Sequence, residues 1–127
     1  MANKILIADD EAPLRHALRD KLSREGFEVA EAADGEETIK MMKVFHPDLI
    51  LLDFVMPQKD GVEVLKEMQK SDSLKQIKVI MLTNLSDPMK FYEATDAGEG
   101  ILNSVDYLVK SDWKIEEVVD KIRNKIA

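Results

Sequence analysis

Short apolar runs alternate with amphipathic stretches along the whole 127-residue chain. Runs of strand length predict five β-strands, at residues 4–8, 27–30, 48–53, 77–82 and 105–109. Between and after them, apolar residues recur at helical spacing and predict five helices, with apolar faces at residues 14–22, 38–45, 62–68, 91–94 and 115–126. The pattern therefore predicts a regular alternation of strand and helix.

Proline and glycine mark the ends of several elements. Pro13 stands where the first turn of a helix tolerates it, and Gly26 follows the same helix. Strands that alternate with helices pair in parallel through right-handed crossovers. The continuous apolar run before Asp53 indicates a central strand covered on both faces. We predict an α/β fold, a doubly wound five-stranded parallel sheet with five helices, and we favour strand order 2-1-3-4-5.

Length and composition limit the classes of protein that fit. No repeat or linker divides the chain, so we expect one domain over residues 1–127. There are no cysteines and only two histidines, which excludes disulfides and thiolate sites and disfavours zinc. The net charge of −7 disfavours direct contact with nucleic acid. No apolar run is long enough for membrane insertion and no signal peptide is evident, so we expect a cytoplasmic protein.

Polar side chains follow four of the predicted strands. Asp9 and Asp10 follow the first, Asp53 ends the third, Thr83 follows the fourth and Lys110 follows the fifth. In a parallel sheet these strand ends lie along one edge, where ligands bind in open α/β folds. Each feature is weak alone, and their convergence is the signal.

Carboxylates gathered at one edge repel each other, and a hard divalent cation relieves that repulsion. A site rich in aspartate and free of cysteine and histidine suits Mg²⁺, with Mn²⁺ as an alternative. A carboxylate can also act as a nucleophile and form an aspartyl phosphate, while a lysine and a hydroxyl neutralise the phosphoryl oxygens. The sequence therefore predicts phosphoryl chemistry at this edge.

Four segments resemble those of response-regulator receiver domains: Asp9-Asp10-Glu11, residues 51–61, Met81-Leu82-Thr83 and Tyr107-Leu108-Val109-Lys110. The resemblance covers essentially the whole chain in the family's order, and residues 51–61 are its most specific piece. It implies a flavodoxin-like fold and a phosphorylation-activated signalling switch in a two-component system. It also implies a histidine kinase or histidine phosphotransfer protein as phosphodonor, and an unidentified downstream protein as target.

The resemblance assigns the phosphoacceptor and the metal ligands. Asp53 would accept the phosphoryl group. Asp10 and Asp53 would bind Mg²⁺ directly, together with the backbone carbonyl of Val55. Asp9 would act through a metal-bound water. The protein would assist its own phosphorylation and dephosphorylation without being an enzyme in the usual sense.

The resemblance also assigns the residues around the phosphoryl group. Lys110 would pair with Asp53 and then with a phosphoryl oxygen. Thr83 would hydrogen-bond the phosphoryl group, and Tyr107 would change rotamer as Thr83 moves inward. Ser111 stands where family members usually carry a proline, so the loop after Lys110 departs from the family pattern. The segment at residues 98–104 is longer than usual, and we expect it to customise the output face.

Other interpretations stay open at this point. Asp53 would otherwise be a strand-end cap, Thr83 an ordinary strand residue and Tyr107 simple sheet packing. A Mg²⁺-dependent phosphatase with an aspartyl intermediate is a second function, although such enzymes typically carry an acid where Val55 stands. A third is an interaction module on the same fold that works without phosphorylation.

Overall fold

The computed structural model describes residues 3–54, 56, 58, 60–83, 105–110 and 114–127, and at residues 83, 105, 107 and 109 the backbone only. The strands are β1 (Lys4–Ala8), β2 (Glu28–Ala32), β3 (Leu49–Asp53), β4 (Lys78–Thr83) and β5 (Val105–Val109). All neighbouring strands pair in parallel, in the order β2-β1-β3-β4-β5. The predicted flavodoxin-like sheet and its strand order are therefore confirmed.

The described part of the chain contains four α-helices, α1 (Ala12–Arg24), α2 (Gly35–Phe45), α3 (Gly61–Gln69) and α4 (Ile115–Ile126), and a short 3₁₀ turn at Leu74–Gln76. None of these helices has the length and apolar character needed to cross a membrane. The helix predicted around residues 91–94, the segment 98–104 and Ser111 lie outside the described residues.

The second strand lies further along the chain than predicted, at Glu28–Ala32 instead of residues 27–30. Pairing with β1 explains the shift, because Ala32 lies opposite Ala8 at the end of the ladder. The Asp9 N–H then donates to the Ala32 carbonyl at 3.1 Å. The predicted strand stops before the charged residue Glu31, but the parallel pairing with β1 continues through Glu31 to Ala32.

Alternate residues of the central strands enter two separate cores. Leu6, Ile50 and Leu52 pack on one face beneath α2 and α3, with Met42 and Leu65 among their buried neighbours. On the opposite face, residues from the same strands pack beneath α1 and α4: Ile5, Ile7, Leu49, Leu51, Leu18, Leu22, Val118 and Ile122. Side chains of a strand point alternately to the two faces, so continuous apolar strands fill both cores.

The strand register brings the polar strand ends to one edge. Ala8 pairs with Leu52, Asp53 with Leu82, and Thr83 with Val109. Asp9, Asp53 and Lys110 therefore emerge at the same end of the sheet. The two cores hold this edge from both sides.

The start of α3 packs directly against the end of β3. The Gly61 N–H donates to the Phe54 carbonyl at 2.9 Å, and Asp60 caps the helix in a reciprocal capping box with Glu63. A Cβ atom at position 61 would lie 2.6 Å from the Asp53 carbonyl oxygen. The absence of a side chain at Gly61 thus permits the approach that fixes the backbone of Asp53.

We predict that Gly61→Ala destabilises the fold by about 1–3 kcal/mol, because the backbone must move to admit the methyl group. Urea unfolding measures the loss, and amide NMR shifts of Asp53 and Phe54 report the displacement. Gly26→Ala is the control, since a Cβ there meets nothing within 4 Å although φ is +95°. That variant should lose stability through backbone strain without shifting Asp53. A Gly61→Ala protein with wild-type stability would contradict the prediction.

Candidate functional site

Asp53 is a buried carboxylate at the end of an apolar strand. It closes β3 after Leu49, Ile50, Leu51 and Leu52, and its side chain is 7% exposed. The neighbouring Phe54 N–H donates to the Leu82 carbonyl at 2.9 Å, which ties the end of β3 to β4. A carboxylate in such surroundings is unfavourable unless a cation or hydrogen-bond donors face it.

Lys110 supplies that cation from the far side of β4. Its ammonium nitrogen lies 3.3 Å from Asp53 Oδ2, 2.9 Å from Asp9 Oδ2 and 3.0 Å from Glu11 Oε1. The Lys110 side chain is 8% exposed. One ammonium group therefore connects three carboxylates, two from the loop between β1 and α1 and one from the end of β3.

The Lys110 ammonium is held in its charged form. Burial acts to lower its pKa, but pairing with Asp9 and Glu11 and the nearby charge of Asp53 outweigh burial. The net effect raises the pKa of Lys110 well above its ordinary value. Lys110 is thus a fixed positive charge at this edge of the sheet over the whole physiological pH range.

Asp9 is fully buried, and its two carboxylate oxygens differ in their surroundings. Oδ1 accepts a hydrogen bond from the Glu11 N–H at 2.8 Å. Oδ2 lies 2.9 Å from Lys110 Nζ, outside the direction of a hydrogen bond, and accepts none within the described residues. Asp9 Oδ2 therefore has an ionic partner and an unused acceptor site.

Asp10 completes an acidic cluster at the same edge. One carboxylate oxygen from each of Asp9, Asp10 and Asp53 lies within 4.8 Å of the others, and Asp10 is exposed. Lys110 cannot balance all of this negative charge. Clustered carboxylate oxygens and the unused acceptor on Asp9 fit a hard divalent cation, which prefers oxygen ligands. The donor set is therefore compatible with a divalent metal site.

Two arginines support the loop at residues 9–11, between β1 and α1, which we call the Asp9 loop. The sequence pattern did not identify them. Arg15 Nη1 donates to the Asp9 carbonyl at 2.8 Å, and Arg15 Nε donates to Glu31 Oε1 at 3.0 Å. Arg19 Nη1 donates to Glu31 Oε2 at 2.8 Å. Arg15 and Arg19 are four residues apart on α1, so both face the edge strand. The four-residue spacing of the two arginines is visible in the sequence, but it does not identify Glu31 as their partner.

The other predicted site residues are described less fully. The backbone of Thr83 ends β4 opposite Val109, and the backbone of Tyr107 lies opposite Met81. Their side chains and the whole of Val55 lie outside the described residues. The roles expected of Thr83, Tyr107 and Val55 stay predictions.

Comparison with known proteins agrees with this geometry. The family model described as "Response regulator receiver domain" matches residues 5–123. The chain belongs to this family. It is a receiver domain of two-component response regulators.

Relatives of this receiver domain differ in length. It is 43% identical over 122 residues to "Probable transcriptional regulator ycf27" of Porphyridium aerugineum, a match that covers 95% of this chain and 47% of that protein. It is 34% identical over 127 residues to "Chemotaxis protein CheY" of Bacillus subtilis, covering 99% of each. The chain thus spans about half the length of the ycf27 relatives and nearly the whole of that CheY.

A solved structure shows the same architecture. The chemotaxis response regulator CheY4 of Vibrio cholerae superposes with a TM-score of 0.86 at 27% identity, covering 98% of this chain and 99% of that one. The sheet, its order and the helices on both faces are therefore those of a CheY-like receiver.

We predict that Lys110→Met destabilises the metal-free protein by about 3–5 kcal/mol, because Asp9 and Asp53 then lack their cation. Urea unfolding of a double-mutant cycle tests which contact matters. Adding Asp9→Asn should recover much of the loss. Adding Glu11→Gln should change it by only about 0–1 kcal/mol, since the Glu11 side chain is 53% exposed. Equal coupling energies of Lys110 with Asp9 and with Glu11 would contradict the prediction.

Proposed function

We propose that this receiver domain is a phosphorylation-activated switch in which Asp53 accepts a phosphoryl group from a histidine kinase or histidine phosphotransfer protein. The main support is the buried Asp53 carboxylate, which lies 3.3 Å from the Lys110 ammonium and beside the carboxylates of Asp9 and Asp10. A reactive carboxylate, a fixed cation and a set of oxygen ligands are the components that phosphoryl transfer to an aspartate requires.

The transfer step exchanges one bond to phosphorus for another. A carboxylate oxygen of Asp53 attacks the phosphorus, and an O–P bond forms. The bond between phosphorus and the donor's histidine nitrogen breaks, and its electron pair stays on that nitrogen. Lys110 offsets the negative charge of the transferred oxygens. The product is an aspartyl phosphate at position 53.

Asp10 and Asp53 would hold Mg²⁺, or Mn²⁺, with the Val55 carbonyl as a further ligand and Asp9 acting through a bound water. When present, the ion neutralises charge on the phosphoryl oxygens. The unused acceptor on Asp9 Oδ2 and the 4.8 Å clustering of the carboxylate oxygens support this assignment. A neutral asparagine in place of Asp9, Asp10 or Asp53 would remove part of the attraction for the cation.

Phosphorylation would change the balance between two packings of the domain. The phosphoryl group adds about 1.5 to 2 negative charges and three acceptor oxygens next to Lys110. Thr83 would hydrogen-bond one of those oxygens, and Tyr107 would change rotamer in response. The state favoured by these contacts would present an altered face to a downstream protein. The protein would thus act as a phosphoacceptor that assists its own phosphorylation and dephosphorylation.

We predict that the protein incubated with acetyl phosphate and Mg²⁺ gains a phosphoryl group, visible as a retarded band on a Phos-tag gel. Asp53→Asn should remain unlabelled because the nucleophile is lost. EDTA should suppress labelling of the wild type, since the carboxylate cluster then lacks its counter-ion.

Asp72→Asn is the matched control for this experiment, because Asp72 is fully exposed and pairs with Lys75 away from the site. It should label like the wild type. Labelling of Asp53→Asn to the wild-type extent would end the assignment of Asp53. Continuous turnover of a small phosphate ester would instead favour a phosphatase.

A further inference from the structure

Glu11 is the exposed member of the carboxylates around Lys110. Its Oε1 lies 3.0 Å from the Lys110 ammonium, and its side chain is 53% exposed. The other two carboxylates in contact with that ammonium, Asp9 and Asp53, are buried. The three carboxylates therefore differ in the cost of losing Lys110. The buried carboxylates of Asp9 and Asp53 would lose their cation, whereas Glu11 would still face water.

The position of Glu11 is set by its backbone. Its N–H donates to Asp9 Oδ1 at 2.8 Å, and the residue occupies the N-cap of α1. Within the described residues, its side chain makes no capping hydrogen bond to the helix. The Glu11 side chain can therefore change without loss of the contact that orients Asp9.

We propose that Glu11 is a regulatory residue that holds Lys110 in the unphosphorylated state and competes with the phosphoryl group on Asp53 for it. This inference rests on the function proposed above. It assigns a role to a side chain outside the cluster of Asp9, Asp10 and Asp53 carboxylates.

Lys110 has a limited number of hydrogen-bond donors. A lysine ammonium has three N–H donors, and three carboxylate oxygens lie between 2.9 and 3.3 Å from it. Glu11 Oε1 accepts one of those donors in a hydrogen bond of 3.0 Å, whereas Asp9 Oδ2 is held by charge without a hydrogen bond. A phosphoryl oxygen that arrives on Asp53 becomes a fourth anionic oxygen around the same ammonium. Lys110 must then give up or weaken an existing contact.

Burial determines which contact is lost. Asp9 cannot exchange Lys110 for water, because its side chain has no exposed surface. Glu11 can be solvated where it stands, and an exposed ion pair contributes little. Lys110 therefore leaves Glu11 first. The Glu11 carboxylate also repels the incoming negative charge, so both effects slow phosphorylation.

The test compares labelling rates with acetyl phosphate at saturating Mg²⁺ for the wild type and three variants. Glu11→Gln removes the charge. Glu11→Asp keeps the charge on a side chain one methylene shorter, which withdraws it from Lys110. Glu36→Gln, at an exposed position in the first turn of α2, is the control for net charge.

We expect Glu11→Gln and Glu11→Asp to label about two- to fivefold faster than the wild type, as suits the loss of an exposed ion pair. Glu36→Gln should match the wild type. Wild-type rates in both Glu11 variants would overturn the inference. A fast Glu11→Gln with an unchanged Glu11→Asp would also overturn it, because the charge alone would then explain the effect.

A second measurement separates this inference from the proposed function. In protein without phosphodonor, the side-chain ¹⁵N resonance of Lys110 should shift in both Glu11 variants and stay unchanged in Glu36→Gln. An unmoved resonance would overturn the resting contact regardless of labelling. Failure of the wild type to accept any label would instead overturn the proposed function, and the competition with it.

Discussion

Two buried aspartates at one edge of the sheet require a cation, and the structure is organised around meeting that requirement. Asp9 and Asp53 arrive from adjacent strands, β1 and β3, and both are buried, Asp9 completely. Lys110 faces both at 2.9 and 3.3 Å. Removing one partner from a buried ion pair is strongly destabilising, so strand β5 and the Asp9 loop are energetically linked across β4.

The scaffold holds this arrangement from three directions. The two apolar cores fix the strand register, which determines where each polar residue leaves the sheet. Arg15 holds the Asp9 carbonyl and is itself held by Glu31 on the edge strand. Gly61 lets α3 approach the backbone of Asp53. The site is thus built on strand ends and helix starts, and its excess negative charge would attract a divalent cation.

The pattern of apolar residues along the chain was sufficient to predict much of this architecture. Short apolar runs identified the five strands, and apolar residues at helical spacing identified the four helices now described. The strand ends pointed to Asp9, Asp10, Asp53 and Lys110. The prediction placed β2 at residues 27–30 and stopped before the charged residue Glu31, whereas hydrogen bonding extends the strand to Ala32. The contact of Glu11 with Lys110 and the role of Arg15 were not predicted, because both depend on side chains that reach from one element to another, which the spacing within one element does not show.

The most direct test of the central claim is to locate the phosphoryl group chemically. Borohydride reduces an acyl phosphate on aspartate to homoserine, and peptide mass spectrometry then identifies the modified residue. After treatment with acetyl phosphate and Mg²⁺, we expect homoserine at position 53 alone. Homoserine at position 9 or 10, or none in a protein that has taken up phosphate, would contradict it.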